Sequence, residues 1–130
     1  MLEINIPEVV AEVEAAFMRY EDGINGNKPD VLIDSFWDNP LTLRYGVAEN
    51  LYGMEEIQAY RKTRAAAGGQ HRRKLTRTVI TTYGRDFATA NTEYVRDGSG
   101  RTGRQSQTWV RMPEGWKVVA AHVSLLAESD

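Results

Sequence analysis

The chain contains no cysteine, which excludes disulfides, zinc thiolates, iron–sulfur clusters and cysteine nucleophiles. It has two histidines, His71 and His122, the first inside a basic run, so a histidine-built metal site is not expected. No apolar run approaches the roughly 20 residues that a membrane-spanning helix requires. The segment Met1–Pro7 has neither the basic start nor the apolar core of a secretion signal; a cytoplasmic protein without membrane contact is expected. The formal net charge of −2 lacks the positive excess with which proteins hold nucleic acid. There is no Walker loop or nucleophile elbow, and Gly98-Ser99-Gly100 reads as a turn rather than a phosphate cradle. No cofactor is expected.

At 130 residues the chain fits one domain, which buries roughly two-thirds of its unfolded surface without a staple. Of its 16 basic residues 12 are arginine. A planar guanidinium matches a carboxylate two bonds at a time, so this bias favours a small anionic ligand.

The organising stretch is Gly103–Arg111, followed after Met112-Pro113-Glu114-Gly115 by Trp116–Ser124. Both arms are rich in Val, Thr and Trp and read as a long β-hairpin around a Gly-containing turn. Pairing Met112 with Trp116 sets Val110 opposite Val118, Thr108 opposite Ala120, Ser106 opposite His122 and Arg104 opposite Ser124. Side chains alternate across a strand, so all ten share one face. That face is apolar near the turn and carries Arg104, Ser106, His122 and Ser124 at its far end, a cluster that reads as the polar wall of a pocket. The opposite face of the last strand, Val119, Ala121, Val123 and Leu125, is apolar and calls for cover; a homodimer through the outer face of these C-terminal strands is expected.

Upstream, Val9, Val10, Val13, Ala16, Phe17, Tyr20 and Ile24 recur at helical spacing, with Asn5 as a cap and Pro7 in the first turn. A phenol on that buried stripe needs a partner: Tyr20 either meets a backbone carbonyl or opens into a cavity. A short helix is expected over Asp30–Trp37, then two short strands, Leu41–Tyr45 and Glu49–Tyr52. A third helix opens at Gly53 and ends near Ala67, with Met54, Ile57, Tyr60 and Arg61 or Arg64 inward. Lys74–Tyr83 and Phe87–Val95 complete the strands. An arginine in a short strand is usually exposed, which is the expectation for Arg44 from the pattern alone. The order α-α-β-β-α-β-β-β-β predicts an α+β fold, a curved antiparallel sheet wrapped around helices with a cavity at its open end.

Nearly the whole chain resembles the cone-shaped, nuclear-transport-factor-like (SnoaL-like, cystatin-like) superfamily. More narrowly it resembles the AtzH-like family, including its branch in oxalurate catabolism (HpxZ-like). The segments that carry the likeness include Arg44-Tyr45-Gly46-Val47, Glu49–Gly53, Gly103-Arg104-Gln105-Ser106-Gln107-Thr108-Trp109 and Trp116–Leu125. A characterised member of that family removes one carboxylate from a dicarboxylated urea without a known metal. The resemblance implies a site centred on a tyrosine of the first helix and an arginine of the first strand, here Tyr20 and Arg44 as catalytic residues. Related kinase association domains use the fold as an assembly hub whose pocket binds carboxylates, so the resemblance implies the fold more firmly than the reaction.

Two readings follow. One is an enzyme of ureido-compound nitrogen catabolism that hydrolyses or decarboxylates a small anionic ureido acid. Arg44 and Arg104 would clamp its carboxylates, with Ser106, His122 and Ser124 as further binding residues and Tyr20 as proton donor. The other is a non-catalytic carboxylate-binding or accessory subunit that partners an amidase.

Overall fold

In the computed structural model, which describes residues 1–69 and 71–128, three helices lie against one six-stranded sheet. The elements are α1 (Pro7–Asn25), α2 (Pro29–Asp34), β1 (Leu43–Tyr45), β2 (Asn50–Tyr52), α3 (Met54–Ala66), β3 (Arg73–Tyr83), β4 (Phe87–Arg96), β5 (Thr102–Met112) and β6 (Gly115–Leu125). The sheet runs β2-β1-β6-β5-β4-β3. All neighbours are antiparallel except β1 and β6, which are parallel. The expected α+β layout is therefore present, as a strongly curved but unclosed sheet. No helix among the described residues is long and apolar enough to cross a membrane.

Alternation along the strands creates the two faces. One ladder of directly opposed residues runs Ile80, Ala90, Gln107, Ala121, Arg44, and the next runs Thr82, Ala88, Trp109, Val118. These line the inside of the curve. There Trp109, Ala88 and Val118 pack against Val13, Phe17 and Phe36. The alternate ladders, Val79, Asn91, Ser106, His122, Tyr45 and Arg77, Glu93, Arg104, Ser124, lie on the outside.

α1 buries Val9, Val13, Phe17, Tyr20 and Ile24 within the curve. Asn5 does not cap it. With φ of 58°, Asn5 instead bonds the backbone of Thr82 from both its amide N–H and its side-chain oxygen, so it pins the N-terminal segment to β3. α2 is shorter than its apolar pattern predicts. After Asp34 the chain leaves the helix to bond β6 directly, Val118 N–H to Ser35 O at 2.8 Å and Trp37 N–H to Val118 O at 3.0 Å.

The register of the hairpin departs from expectation at the turn only. Met112 pairs with Gly115, not Trp116, because the connection has two residues, Pro113 and Glu114, and Gly115 with φ of 123° has joined the strand. Val110 consequently faces Lys117. A bulge places Val119 without a partner, so that Trp109 opposes Val118 while Thr108 opposes Ala120. The bulge cancels the slip, and Ser106–His122 and Arg104–Ser124 pair as expected.

The bulge also corrects the reading of the two faces. Ala121 and Val123 are buried inside the curve, so the apolar set expected to demand a partner subunit is the core itself. Val119, in the bulge, is only half-buried.

Candidate functional site

Strand register explains why Arg44, in a strand of three residues, points inward. Its ladder neighbour on β6 is Ala121, and beyond it come Gln107 and Ala90. The alanines leave room for a long side chain inside the sheet, and Arg44 is 4% exposed. The expectation of an exposed arginine fails here because β1 is not an edge strand: β2 covers one side and β6 the other.

Arg44 meets a layer of charge. On α3, Ile57 is fully buried and Arg61 follows one turn later on the same stripe, 2% exposed. Arg61 Nη2 donates to the Tyr20 hydroxyl at 2.6 Å. The partner that Tyr20 needs is thus a guanidinium rather than a backbone carbonyl. On the far side Arg73 forms a two-pronged ion pair with the buried carboxylate of Glu21, Nε to Oε2 at 3.0 Å and Nη2 to Oε1, and donates to Gln105 Oε1 at 2.7 Å. Asn25 fixes the Arg73 backbone, accepting from its N–H at 2.9 Å and donating to its carbonyl at 3.2 Å.

Tyr20 is 1% exposed. Burial alone would push its phenol up, but the charges of Arg61, Arg44 and Arg73 outweigh that and hold it below the ordinary tyrosine value. The fold therefore favours the phenolate relative to the unfolded chain. Tyr20 adds stability as pH rises from its depressed folded value toward the unfolded value near ~10, and that stability is lost as pH falls back through the folded value. In a spectrophotometric titration at 295 nm, one tyrosine is expected to ionise ahead of the rest, and Tyr20→Phe should remove that component. If the early component survived in the variant, it would belong to another tyrosine.

Charge counting defines what the layer lacks. Arg44, Arg61 and Arg73 bring three positive charges, whereas Glu21 and Glu49, the carboxylates bonded to Arg73 and Arg44, bring two negative ones. With Tyr20 neutral the layer holds one uncompensated positive charge. Buried charge without a partner is costly. Among the described residues, Arg44 Nε and Arg61 Nε are moreover buried with no hydrogen-bond acceptor. Excess charge and orphaned donors both call for an anion.

Above this layer a cavity of about 290 Å³ opens between the β1–β2 connection, α3 and the ends of β4 and β6. Arg44, Arg64, Arg96 and Arg101 line it together with Tyr60, Tyr94 and Glu49. Arg44 lies 5.2 Å from the centre of the Tyr60 ring, and Tyr94 is flanked by Arg73 at 4.4 Å and Arg96 at 5.1 Å. Gly103 stands opposite Tyr94 in the ladder, where a Cβ would collide with the ring. Tyr20 lies one layer below the lining residues and does not reach the cavity surface.

The AtzH-like family model matches residues 2–129. The chain belongs to the AtzH-like family. Among solved structures, this AtzH-like chain is similar to a protein of unknown function from the DUF3225 family of Pectobacterium atrosepticum, at 56% identity over 95% of each chain with a TM-score of 0.89. It is also similar to a cystatin-like fold protein of Burkholderia xenovorans, at 46% identity over 99% of this chain and 100% of that one, TM-score 0.91. A nuclear transport factor 2-like superfamily protein of Salmonella enterica matches at 26% identity over 95% and 94% of the two chains, TM-score 0.76. No protein of curated function matches the chain.

Of the residues singled out from sequence, the structure brings Tyr20 and Arg44 into one layer and leaves the other four elsewhere. Arg104, Ser106, His122 and Ser124 do share a face, but it is the outer one. Ser106 donates to Asn91 Oδ1 at 2.7 Å, and His122 packs edge-on against Tyr45 with ring centres 5.5 Å apart. The reason is the parity of β5: Trp109, the largest side chain on the strand, takes the inside and carries Gln107, Gln105 and Gly103 with it. Sequence reasoning passed over Arg73, Arg96, Arg101, Gln105 and Tyr94, all of which lie on the inner layer or the cavity wall. The signal for the β5 residues was Trp109 itself; the helical spacing from Ile57 to Arg61 was the signal for Arg61.

Proposed function

We propose that this AtzH-like protein is a cytoplasmic small-molecule enzyme that hydrolyses or decarboxylates an anionic ureido acid of the oxalurate or dicarboxyurea type. The observation that carries the reading is the uncompensated positive charge around Tyr20 and Arg44, directly beneath an arginine-lined cavity. Arg44 and the arginines of the cavity wall hold the carboxylates and neutralise charge as it develops. In the decarboxylating form of the reaction, the bond between an N-carboxylate carbon and its nitrogen breaks and carbon dioxide leaves. The electron pair stays on nitrogen, which takes a proton from water in the cavity and leaves hydroxide. Tyr20 lies one layer below the ligand and acts through Arg61 and Arg44, whose charges hold its phenol below the ordinary value. Arg104, Ser106, His122 and Ser124 take no part in this reading, because they face away from the cavity.

A homodimer through the outer face of β5 and β6 belongs to the same proposal, on changed grounds. On that side of the sheet the neighbouring strands β3 and β4 expose Val79 and Phe87 among polar residues. Light scattering that gave a monomer at micromolar concentration would remove it.

The test of the activity is to incubate purified protein with carbon-13-labelled dicarboxyurea generated in place and to follow labelled carbon dioxide and urea carboxylate by NMR. Enzyme-dependent release supports the reading. Calorimetric binding of the same compounds with no turnover over hours would replace it with the carboxylate-binding accessory subunit.

A further inference from the structure

The β1–β2 connection returns a carboxylate to the buried guanidinium. Gly46 N–H donates to Glu49 O at 2.8 Å and closes the loop. A Cβ at Gly46 would collide with Glu49 Oε1 and Cδ, so glycine there leaves the space that the carboxylate fills. Glu49 Oε1 accepts from Arg44 Nη1 at 2.8 Å. Its second oxygen accepts no hydrogen bond from the described residues, and the side chain remains 25% exposed on the cavity wall.

Four arginines on that wall can only donate, the tyrosine and Ser99 hydroxyls can do either, and among the described residues Glu49 is the one lining side chain that can only accept. A ligand held between the arginines therefore meets a fixed acceptor beside Arg44. A saturated dicarboxylate would set methylene carbon against that oxygen and strip its water without replacing the hydrogen bond. An N–H at the same place would satisfy it.

We infer that Glu49 determines specificity by accepting a hydrogen bond from an amide or ureido N–H next to the ligand carboxylate held by Arg44, so that the site selects N-acyl or ureido acid anions over plain dicarboxylates. The inference rests on the anion-binding reading of the same cavity and adds the group that tells one class of anion from another. Sites built to pair an N–H discriminate against analogues that lack it far more strongly than apolar pockets discriminate by size. Because Glu49 keeps some solvent, about tenfold is the expected preference.

N-Oxalylglycine and 2-oxoglutarate test this directly, since both are dianions of the same length and differ by one N–H in place of one methylene. Calorimetry on the wild-type protein is expected to show N-oxalylglycine binding at least about tenfold tighter. In Glu49→Ala the two affinities should come within about twofold, and in Glu49→Gln the gap should narrow to an intermediate value. Equal affinities in the wild type would overturn the inference while leaving the anion site intact, and so would a preference that survives in both folded variants. Failure of both compounds and of malonate to bind would remove the anion site and this inference together. Because the wild-type comparison needs no variant, the result stands even where a substitution impairs folding.

Discussion

Replacing Glu21 with alanine is expected to cost about 3–5 kcal/mol of stability, the usual consequence of removing one partner from a buried ion pair. Both side chains are almost wholly enclosed, Glu21 at 3% and Arg73 at 2%. The Arg73 guanidinium cannot move to solvent, because its backbone is tied to Asn25 and its second nitrogen to Gln105. The loss would raise the uncompensated charge around Tyr20 from one to two. For a chain of this size the midpoint of thermal unfolding should fall by about 10 °C or more. Glu21→Gln separates charge from packing: it keeps the shape, should destabilise almost as much, and should make Tyr20 ionise at still lower pH than in the wild type. A change below about 1 kcal/mol in either variant would mean that Arg73 has another acceptor and that the charge count around Tyr20 is wrong.

Arg44→Ala should leave the fold largely intact and abolish most of the activity. Its guanidinium joins the buried layer to the cavity: Glu49 holds one nitrogen, Tyr60 lies beneath it, and its charge contributes to the depressed titration of Tyr20. If it supplies about 3 kcal/mol to the transition state, turnover falls roughly a hundredfold. Binding of dianions should weaken as well, because the same group holds the ground-state carboxylate. With Arg44 gone, Tyr20 loses one of the three positive charges that oppose its burial, so its ionisation should move back toward the ordinary value. Steady-state kinetics and the 295 nm titration read these two effects separately. Unaltered turnover in Arg44→Ala would place the chemistry elsewhere.

The order of elements was legible in the sequence because hydrophobic spacing switches cleanly between helical and alternating periods along the chain. Tyr20 was legible as a member of the buried stripe of α1, although not its partner, since Arg61 lies 41 residues away. What the pattern could not supply was parity. A run as uniformly apolar as Val118–Ala121 reads equally well with either face inward, and the unpaired Val119 reverses the parity within β6. The choice then rested on a polar cluster, Arg104, Ser106, His122 and Ser124, which looked like a pocket wall. The bulk of Trp109 decides the matter, since a side chain of that size takes the inside when its neighbours across the sheet are as small as Ala88 and Ala90. Arg44 was misread for a related reason: alternation within β1 is too short to show that a parallel neighbour, β6, covers it.

On the proposed function, the positive layer formed by Tyr20, Arg44 and Arg61 receives a small dianion through the arginine-lined cavity. A crystal structure of the protein soaked with N-oxalylglycine tests it most directly. One ligand carboxylate is expected within hydrogen-bond distance of Arg44, the other among the arginines of the wall, and nothing on the outer face. Clear density for the ligand at Arg77 and Arg104 on the outside of the sheet, with the inner cavity filled only by water, would contradict it.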